Sequence, residues 1–185
     1  MCLKLCKSKE IILNGKKILI RRPKYSDLKS FLEYINSLVK EDAMINVNRK
    51  VTLKEESEWL KKTLASIIKN KSHDLVGYYD GEIIGYVGVT KQEFRLSHTA
   101  RFGITIKRNY RNIGLATALS KTMIDIAKKD SQIKILYLDV INKNKAAMKL
   151  YKKIGFKKVA LLSNRALYKG KYLDTFVMDY PLRKI

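Results

Sequence analysis

Two short turn signals constrain the fold of this chain more than any other feature. Asn14-Gly15 and Asp80-Gly81 each lie between two apolar runs, and both dipeptides favour two-residue turns because their residues tolerate positive φ angles. The sequence therefore predicts two β-hairpins that lie far apart along the chain. Their strands are expected at residues 10–13 and 17–20, and at residues 75–79 and 82–87.

Between and after these hairpins, apolar residues recur at the spacing of helices. Ser26 is expected to cap the first helix, and Gly155 is expected to end the last one. Residues 40–51 have no clear period and are predicted to form a loop. The predicted helices cover residues 28–39, 53–68, 115–129 and 147–154.

Short apolar runs supply the remaining strands, which are predicted at residues 99–107, 133–141, 156–162 and 172–178. The resulting order, ββ-αα-βββ-α-β-α-ββ, predicts an α/β fold: a mixed sheet flanked by helices on both faces. A length of 185 residues suits a single domain that spans residues 1–185.

No apolar run approaches the roughly 18 residues that a membrane span needs, so no membrane association is expected. The first residues lack the apolar core of a secretion signal, which favours a cytoplasmic location. Cys2 and Cys6 are interpreted as incidental thiols in a reducing compartment, because no further cysteine and no nearby histidine accompanies them. No metal site is therefore expected.

The chain is strongly basic, with 39 Lys and Arg residues against 17 Asp and Glu residues and a net charge of +22. Such a charge is typical of nucleic-acid binding. However, 30 of the basic residues are lysines, and they are scattered among frequent Ile and Asn residues. This pattern favours compositional drift, so nucleic acid is a disfavoured partner. The charge would still attract an anionic cofactor.

The most informative segment joins the predicted strand that ends near Ile106 to the predicted helix that starts near Gly114. A strand, a short basic loop with a glycine and a helix N-terminus together form an anion site, because unpaired N–H groups point outward there. The alternative interpretation is an ordinary strand-to-helix turn with a permissive glycine. The segment lacks the GxxxxGK[ST] pattern of a P-loop.

This segment resembles the Arg/Gln-x-x-Gly-x-Gly/Ala signature of the GNAT acetyltransferase superfamily, with Arg111, Gly114 and Ala116 at the fixed positions. The resemblance implies the GNAT fold and implies that the amides of this loop hold the pyrophosphate of acetyl-CoA. The loop residues thereby implied in cofactor binding are Arg111, Asn112, Ile113, Gly114, Leu115, Ala116 and Thr117.

A second segment is similar to the family pattern Asn-x-x-Ala-x-x-Leu-Tyr-x-x-x-Gly-Phe, and it runs from Asn144 to Phe156. In the family, the asparagine contacts CoA and the tyrosine hydroxyl lies near the thioester sulfur. Asn144 is therefore expected to bind the cofactor, and Tyr151 is expected to protonate the departing thiolate as the catalytic acid. The alternatives are a helix cap for Asn144 and a core aromatic for Tyr151.

The resemblance also implies roles for the preceding strand. Ile104, Thr105 and Ile106 are expected to pair with the pantetheine arm of the cofactor as an added strand would. Backbone N–H groups at the splayed end of that strand would stabilise the oxyanion.

The catalytic base is less defined. Relatives often carry a carboxylate in a segment resembling His-Thr-Ala-Glu, but here Arg101 replaces the acid. His98 is the candidate base, with Glu93 or a relayed water as alternatives, and a structural role in the strand is the other interpretation of His98. Arg101 is a candidate for holding a substrate carboxylate.

These features predict an acetyl-CoA-dependent N-acetyltransferase that acts on a small-molecule amine such as an amino acid. The alternative is a protein amine, either an N-terminus or a lysine, because residues 170–178 resemble the end of the branch that acetylates amino acids and protein N-termini. A non-enzymatic nucleic-acid-binding module is the third hypothesis, and the presence of both Asn144 and Tyr151 argues against it. A homodimer is allowed, and the loop at residues 40–51 is expected to border the acceptor site.

Overall fold

The computed structural model describes residues 8–183. Eight strands form a mixed sheet in the order β1-β2-β3-β4-β5-β6-β8-β7. The strands are β1 (Lys9–Leu13), β2 (Lys16–Arg21), β3 (Ser72–Tyr79), β4 (Glu82–Lys91), β5 (Thr99–Ile106), β6 (Ile135–Ile141), β7 (Lys157–Tyr168) and β8 (Lys171–Pro181). The helices are α1 (Leu28–Lys40), α2 (Leu53–Ile68), α3 (Leu115–Lys129) and α4 (Lys145–Ile154).

The order of elements agrees with the order that the sequence predicts, and both hairpin turns form where expected. Asn14 and Gly15 have φ angles of 47° and 72°, and Asp80 and Gly81 have φ angles of 48° and 80°. The final hairpin is longer than predicted, because β7 continues to Tyr168. An irregularity in the β7–β8 register between Leu162 and Ala166 interrupts the apolar pattern there, which is why the sequence prediction ends β7 early.

Helices cover both faces of the sheet, as predicted. On one face, α1 and α2 pack against strand residues such as Val76 and Ile83. On the other face, α3 and α4 pack against a larger core that includes Leu75 and Ile84. Adjacent residues of one strand, such as Leu75 and Val76, thus pack into the cores on opposite faces of the sheet, because side chains alternate across a sheet.

The predicted cap of the first helix is wrong. Ser26 lies within a short 3-10 turn, Tyr25–Asp27, and α1 begins one residue after that turn. Asp27 is held there by two hydrogen bonds from Arg21, of 2.7 and 2.8 Å, and by one of 2.8 Å from the backbone N–H of Lys24. These charge-assisted contacts fix the start of α1 at Leu28.

The parallel strands β5 and β6 separate soon after they meet. Their register covers three residue pairs, from Thr99 with Ile135 to Arg101 with Tyr137. Beyond Arg101, β5 stays paired with β4 as far as Ile106, while β6 stays paired with β8. The sheet therefore opens between β5 and β6, and the edge of β5 that faces the gap offers backbone groups to a ligand.

Within the described residues, no helix is long and apolar enough to cross a membrane. No group of three or more potential metal-ligating side chains occurs among these residues either. Cys2 and Cys6 lie outside the described part of the chain.

Candidate active site

A cleft of about 990 Å³ lies at the gap between β5 and β6. Phe102 and Tyr151 reach it from the α3/α4 face, while Tyr86 and Gly88 reach it from the α1/α2 face. The cleft therefore connects the two faces of the sheet through the gap between the strands. A long ligand that enters from one face can meet a second ligand from the other.

Most of the residues that the sequence predicts for cofactor binding come together in this cleft. Those that line it are Ile104, Thr105, Ile106, Arg111, Asn112, Gly114, Ala116, Thr117 and Asn144. Ile113 and Leu115 do not line it: both pack against the core on the α3/α4 face, and Leu115 is only 1% exposed. These two residues can serve a ligand through their backbone atoms alone.

The loop before α3 has the geometry of an anion site. Gly114 is the N-cap of α3 with a φ of 92°, and Asn112 also adopts a positive φ of 63°. No side chain caps the first turn of α3, so its backbone N–H groups remain available beside the cleft. The positive end of the helix dipole favours an anion at this point.

Arg111 holds this loop in place. Its Nε donates a hydrogen bond of 3.0 Å to the backbone carbonyl of Ile106, at the end of β5. Its guanidinium also forms an ion pair with Glu41, which follows α1. Arg111 therefore joins the strand, the loop and the end of α1 around one side of the cleft.

Asn144 and Tyr151 have the structural roles given as alternatives in the sequence, and both residues also line the cleft. The Asn144 side chain caps α4 by accepting a hydrogen bond of 3.1 Å from the N–H of Ala147, and the residue also lines the cleft. Tyr151 is 7% exposed, and its ring packs against Phe102 and Phe156 while the residue lines the same cleft. Burial raises the pKa of Tyr151 to about 12, so its hydroxyl keeps its proton at neutral pH.

The residues considered for the base lie outside this cleft. His98 and Glu93 line a separate surface hollow beside Gln132. Glu93 pairs there with Lys71 at 2.6 Å, and the backbone carbonyl of His98 accepts a hydrogen bond from Lys134. His98 lies just before β5, and the first residue of β5 that lines the cleft is Arg101. This placement does not agree with the prediction of His98 as a catalytic base.

Arg101, and Tyr110 as an alternative proton donor to Tyr151, are both already paired with acids. Arg101 lines the cleft but binds Asp139 on β6 at 2.9 Å, which occupies the group expected to hold a substrate carboxylate. Tyr110 donates a hydrogen bond of 2.8 Å to Glu82, and it does not line the cleft.

Several residues that line the cleft are not indicated by any sequence motif. Tyr86, Gly88 and Gly103 lie on neighbouring strands, and a buried Asp74 accepts a hydrogen bond from the hydroxyl of Tyr86. The available signal is the polar segment Ser72-His73-Asp74 directly before the apolar run of β3. An acid inside a buried strand is rare enough to indicate a specific role.

Comparison with known proteins identifies the family. The family model for GNAT acetyltransferases matches residues 37–156, which is well over half of the chain. The chain belongs to the acetyltransferase (GNAT) family. This finding confirms the resemblance that the two motifs carry.

Individual GNAT relatives agree with this assignment. The L-amino acid N-acetyltransferase AaaT of Escherichia coli is 34% identical over 105 residues, and the match covers 56% of this chain and 65% of that enzyme, slightly less than two thirds. The N-alpha-acetyltransferase of Sulfurisphaera tokodaii is 30% identical over 117 residues, covering 58% of this chain and 68% of that enzyme.

The yncA protein of Salmonella typhimurium, solved with its cofactor acetyl-CoA, is a structural neighbour of this chain. The two share 21% identity and superpose with a TM-score of 0.78 over 91% of this chain and 95% of that protein. The predicted GNAT fold is confirmed.

Proposed function

We propose that this chain is an N-acetyltransferase that transfers the acetyl group of acetyl-CoA to the primary amine of a small molecule such as an amino acid. The observation that carries the proposal is the cleft through the sheet. It brings the loop before α3, the open edge of β5 and Tyr151 to one place.

The residues present fit acetyl-CoA. The left-handed conformation of Gly114 and the uncapped first turn of α3 suit a pyrophosphate, with Ala116 and Thr117 beside it in the cleft. Lys149 and Lys153 on α4 line the same cleft and add positive charge toward the anionic cofactor. The open edge of β5 at Ile104–Ile106 suits the amide groups of the pantetheine arm.

When bound, acetyl-CoA supplies an activated thioester. The N–H groups along the open edge of β5 would stabilise negative charge on the reacting carbonyl oxygen. Tyr151 holds a proton at neutral pH and would be the residue that donates it to the leaving sulfur. Asn144 fixes the start of α4, which keeps Tyr151 oriented two turns further along the helix.

A contact between the loop after α1 and the β7–β8 hairpin, beside the part of the cleft proposed to hold the amine, favours a small acceptor. Residues 43–46, in the loop after α1, line the cleft. The tip of the β7–β8 hairpin reaches this loop, because the Tyr168 hydroxyl donates a hydrogen bond of 3.1 Å to the Asp42 carbonyl and Lys169 pairs with the Asp42 carboxylate at 3.0 Å. This bridge ties the hairpin tip to the loop that lines the cleft. We propose that the tied loop favours a small acceptor over a protein segment.

The second candidate acceptor is the N-terminus of a protein, which the names of the archaeal relatives favour. A screen separates the two. The chain is incubated with acetyl-CoA and either the twenty L-amino acids or peptides with free N-termini, and CoA thiol release is followed. We expect turnover with amino acids; turnover with peptides alone would favour the second candidate, and thiol release that no amine stimulates would contradict the proposed function.

We further propose that residues 1–185 act as one catalytic domain in the cytoplasm. A homodimer is compatible with this proposal. The family motifs and the position of the cleft support an enzyme rather than a nucleic-acid-binding module.

A further inference from the structure

A buried pair of side chains lies beside the cleft on the α1/α2 face. The hydroxyl of Tyr86, on β4, donates a hydrogen bond to Oδ1 of Asp74, on β3. Asp74 is only 4% exposed, and the hydroxyl of Ser72 donates a second hydrogen bond of 2.5 Å to Oδ2. An acid at this depth is uncommon and requires a reason for its presence.

A glycine makes room for this pair. Gly88 lies opposite Asp74 in the β3–β4 register. A Cβ atom added at Gly88 would lie 2.9 Å from Oδ1 of Asp74 and 2.9 Å from the hydroxyl oxygen of Tyr86. The Tyr86 hydroxyl and the carboxylate therefore meet directly above Gly88, and both Tyr86 and Gly88 line the cleft.

The neighbouring position on β5 is open. Gly88 pairs with Gly103, and a Cβ atom added at Gly103 would meet no heavy atom within 4 Å. Adjacent strands lie about 4.8 Å apart. The Tyr86 hydroxyl therefore lies roughly one strand spacing from the open space at Gly103. Gly103 belongs to β5, the strand whose free edge faces the gap.

Aromatic packing holds Tyr86 in this orientation. Its ring makes edge contacts with Phe31 on α1, at 6.0 Å between centroids, and with Trp59 on α2, at 5.6 Å. The hydroxyl is thus fixed between the carboxylate and the cleft, as a group that transfers protons must be.

We propose that Tyr86 and Asp74 form the proton relay that deprotonates the substrate amine. This inference rests on the proposed function, because an alkylammonium group must lose a proton before its nitrogen can attack a thioester. One N–H bond of the ammonium breaks, and that proton passes to the hydroxyl oxygen of Tyr86. The O–H proton of Tyr86 passes to Oδ1 of Asp74. The products are a neutral amine, a neutral tyrosine and a protonated aspartic acid, which later returns its proton to water by the same path.

Other carboxylates near the cleft are less suited to this step. Among the described residues that line the cleft, Asp139 is the only acid, and Arg101 already binds it at 2.9 Å. Burial raises the pKa of Asp74, which makes it a better proton acceptor than a surface aspartate.

Several charged or titratable groups also act on the pair. His73 and Arg22 lower the pKa of Asp74 and so partly offset the rise that burial causes. Burial raises the pKa of the Tyr86 hydroxyl, and Tyr34 on α1 and Glu56 on α2 raise it further.

The test compares Tyr86→Phe and Asp74→Asn with wild type across pH, using the amino acid that turns over fastest in the screen. Both substitutions preserve shape, and Tyr78→Phe is the control, because Tyr78 packs on the same face but does not line the cleft. At neutral pH we expect kcat/KM to fall by about 10²–10⁴-fold in both variants, with acetyl-CoA affinity retained. The loss of kcat/KM relative to wild type should shrink by about tenfold for each unit that the pH rises toward the pKa of the amine, because more of the amine then arrives neutral.

Each result decides the proposal. Rescue by pH in both variants supports the relay, since damage to packing would not be repaired by added hydroxide. If Asp74→Asn does not fold, Tyr86→Phe alone decides by the same criterion. A loss of activity that is constant with pH, or retention of activity within about threefold, would overturn the relay while leaving the proposed function intact. A Glu56→Gln variant that reproduced the pH-dependent loss would assign the base to α2 and would also overturn it. No amine turnover by wild type would remove the proposed function itself.

Discussion

The guanidinium of Arg21 binds the carboxylate of Asp27 through two hydrogen bonds of 2.7 and 2.8 Å, at the point where β2 leads into α1. Both side chains are largely buried, at 11% and 7% exposure. The Asp27 carboxylate also accepts a hydrogen bond from the backbone N–H of Lys24, which makes three hydrogen bonds in all. The pair therefore fixes the angle at which α1 leaves the sheet, and α1 in turn carries Glu41 to Arg111 beside the cleft.

Removing the acid from this pair should destabilise the fold. Asp27→Ala leaves the Arg21 charge buried without its partner, so we expect the free energy of unfolding to fall by about 3–5 kcal/mol. Urea denaturation followed by circular dichroism measures this change. The control is Glu10→Ala, which breaks the exposed pair between Glu10 and Lys17 and should change stability by less than about 1 kcal/mol. Equal effects of the two variants would contradict the role of the buried pair.

Glu56 should make stability depend on pH. Burial raises the pKa of Glu56 to about 7, above its ordinary value of 4.5. The folded state therefore holds this proton at pH values where the unfolded state has lost it, so stability decreases as pH rises from about 4.5 to about 7.

Glu56→Gln tests this dependence because glutamine cannot ionise. After allowance for partial solvent screening, the variant should gain about 1–2 kcal/mol over wild type at pH 8 and much less at pH 5. Denaturation curves at the two pH values measure the difference. A gain that is equal at both values would show that the substitution acts through packing instead.

The sequence predicts the fold well where local signals agree with the final contacts. The Asn14-Gly15 and Asp80-Gly81 turns and the α3 stripe are all found, because turn chemistry and helical periodicity are properties of adjacent residues. The cap of α1 is missed because it depends on Arg21, on the other side of the turn. The true length of β7 is missed because a register shift hides its alternation.

The candidate site divides in the same way. The loop before α3 and the residues of α4 are visible as contiguous motifs, and most of them reach the cleft. Asp74, Gly88 and Gly103 become neighbours only through sheet register, which joins residues 14 or 15 positions apart in the chain. No local pattern reveals that arrangement.

Gly114→Asp should weaken acetyl-CoA binding strongly. The substitution places a side chain and a negative charge at the N-terminus of α3, where the pyrophosphate is proposed to lie. Calorimetry on the folded variant measures the loss. Because Gly114 has a φ of 92°, the matched control is Gly81→Asp, which carries the same backbone strain at a φ of 80° in a turn outside the cleft. Undiminished affinity in Gly114→Asp, or an equal loss in both variants, would refute the assignment.

Tyr151→Phe should lower kcat while leaving acetyl-CoA binding largely intact. The ring that packs against Phe102 and Phe156 is retained, and only the proton donor is removed. General-acid contributions are about 10²–10⁴-fold, so kcat should fall within that range, whereas KM for acetyl-CoA should change little because the lost interaction belongs to the transition state. Tyr110→Phe is the matched control: its hydroxyl also has a pKa raised to about 12, but it binds Glu82 away from the cleft and should leave kcat unchanged. If Tyr151→Phe keeps near-wild-type kcat when chemistry is shown to be rate-limiting, the departing sulfur takes its proton from another donor, such as water.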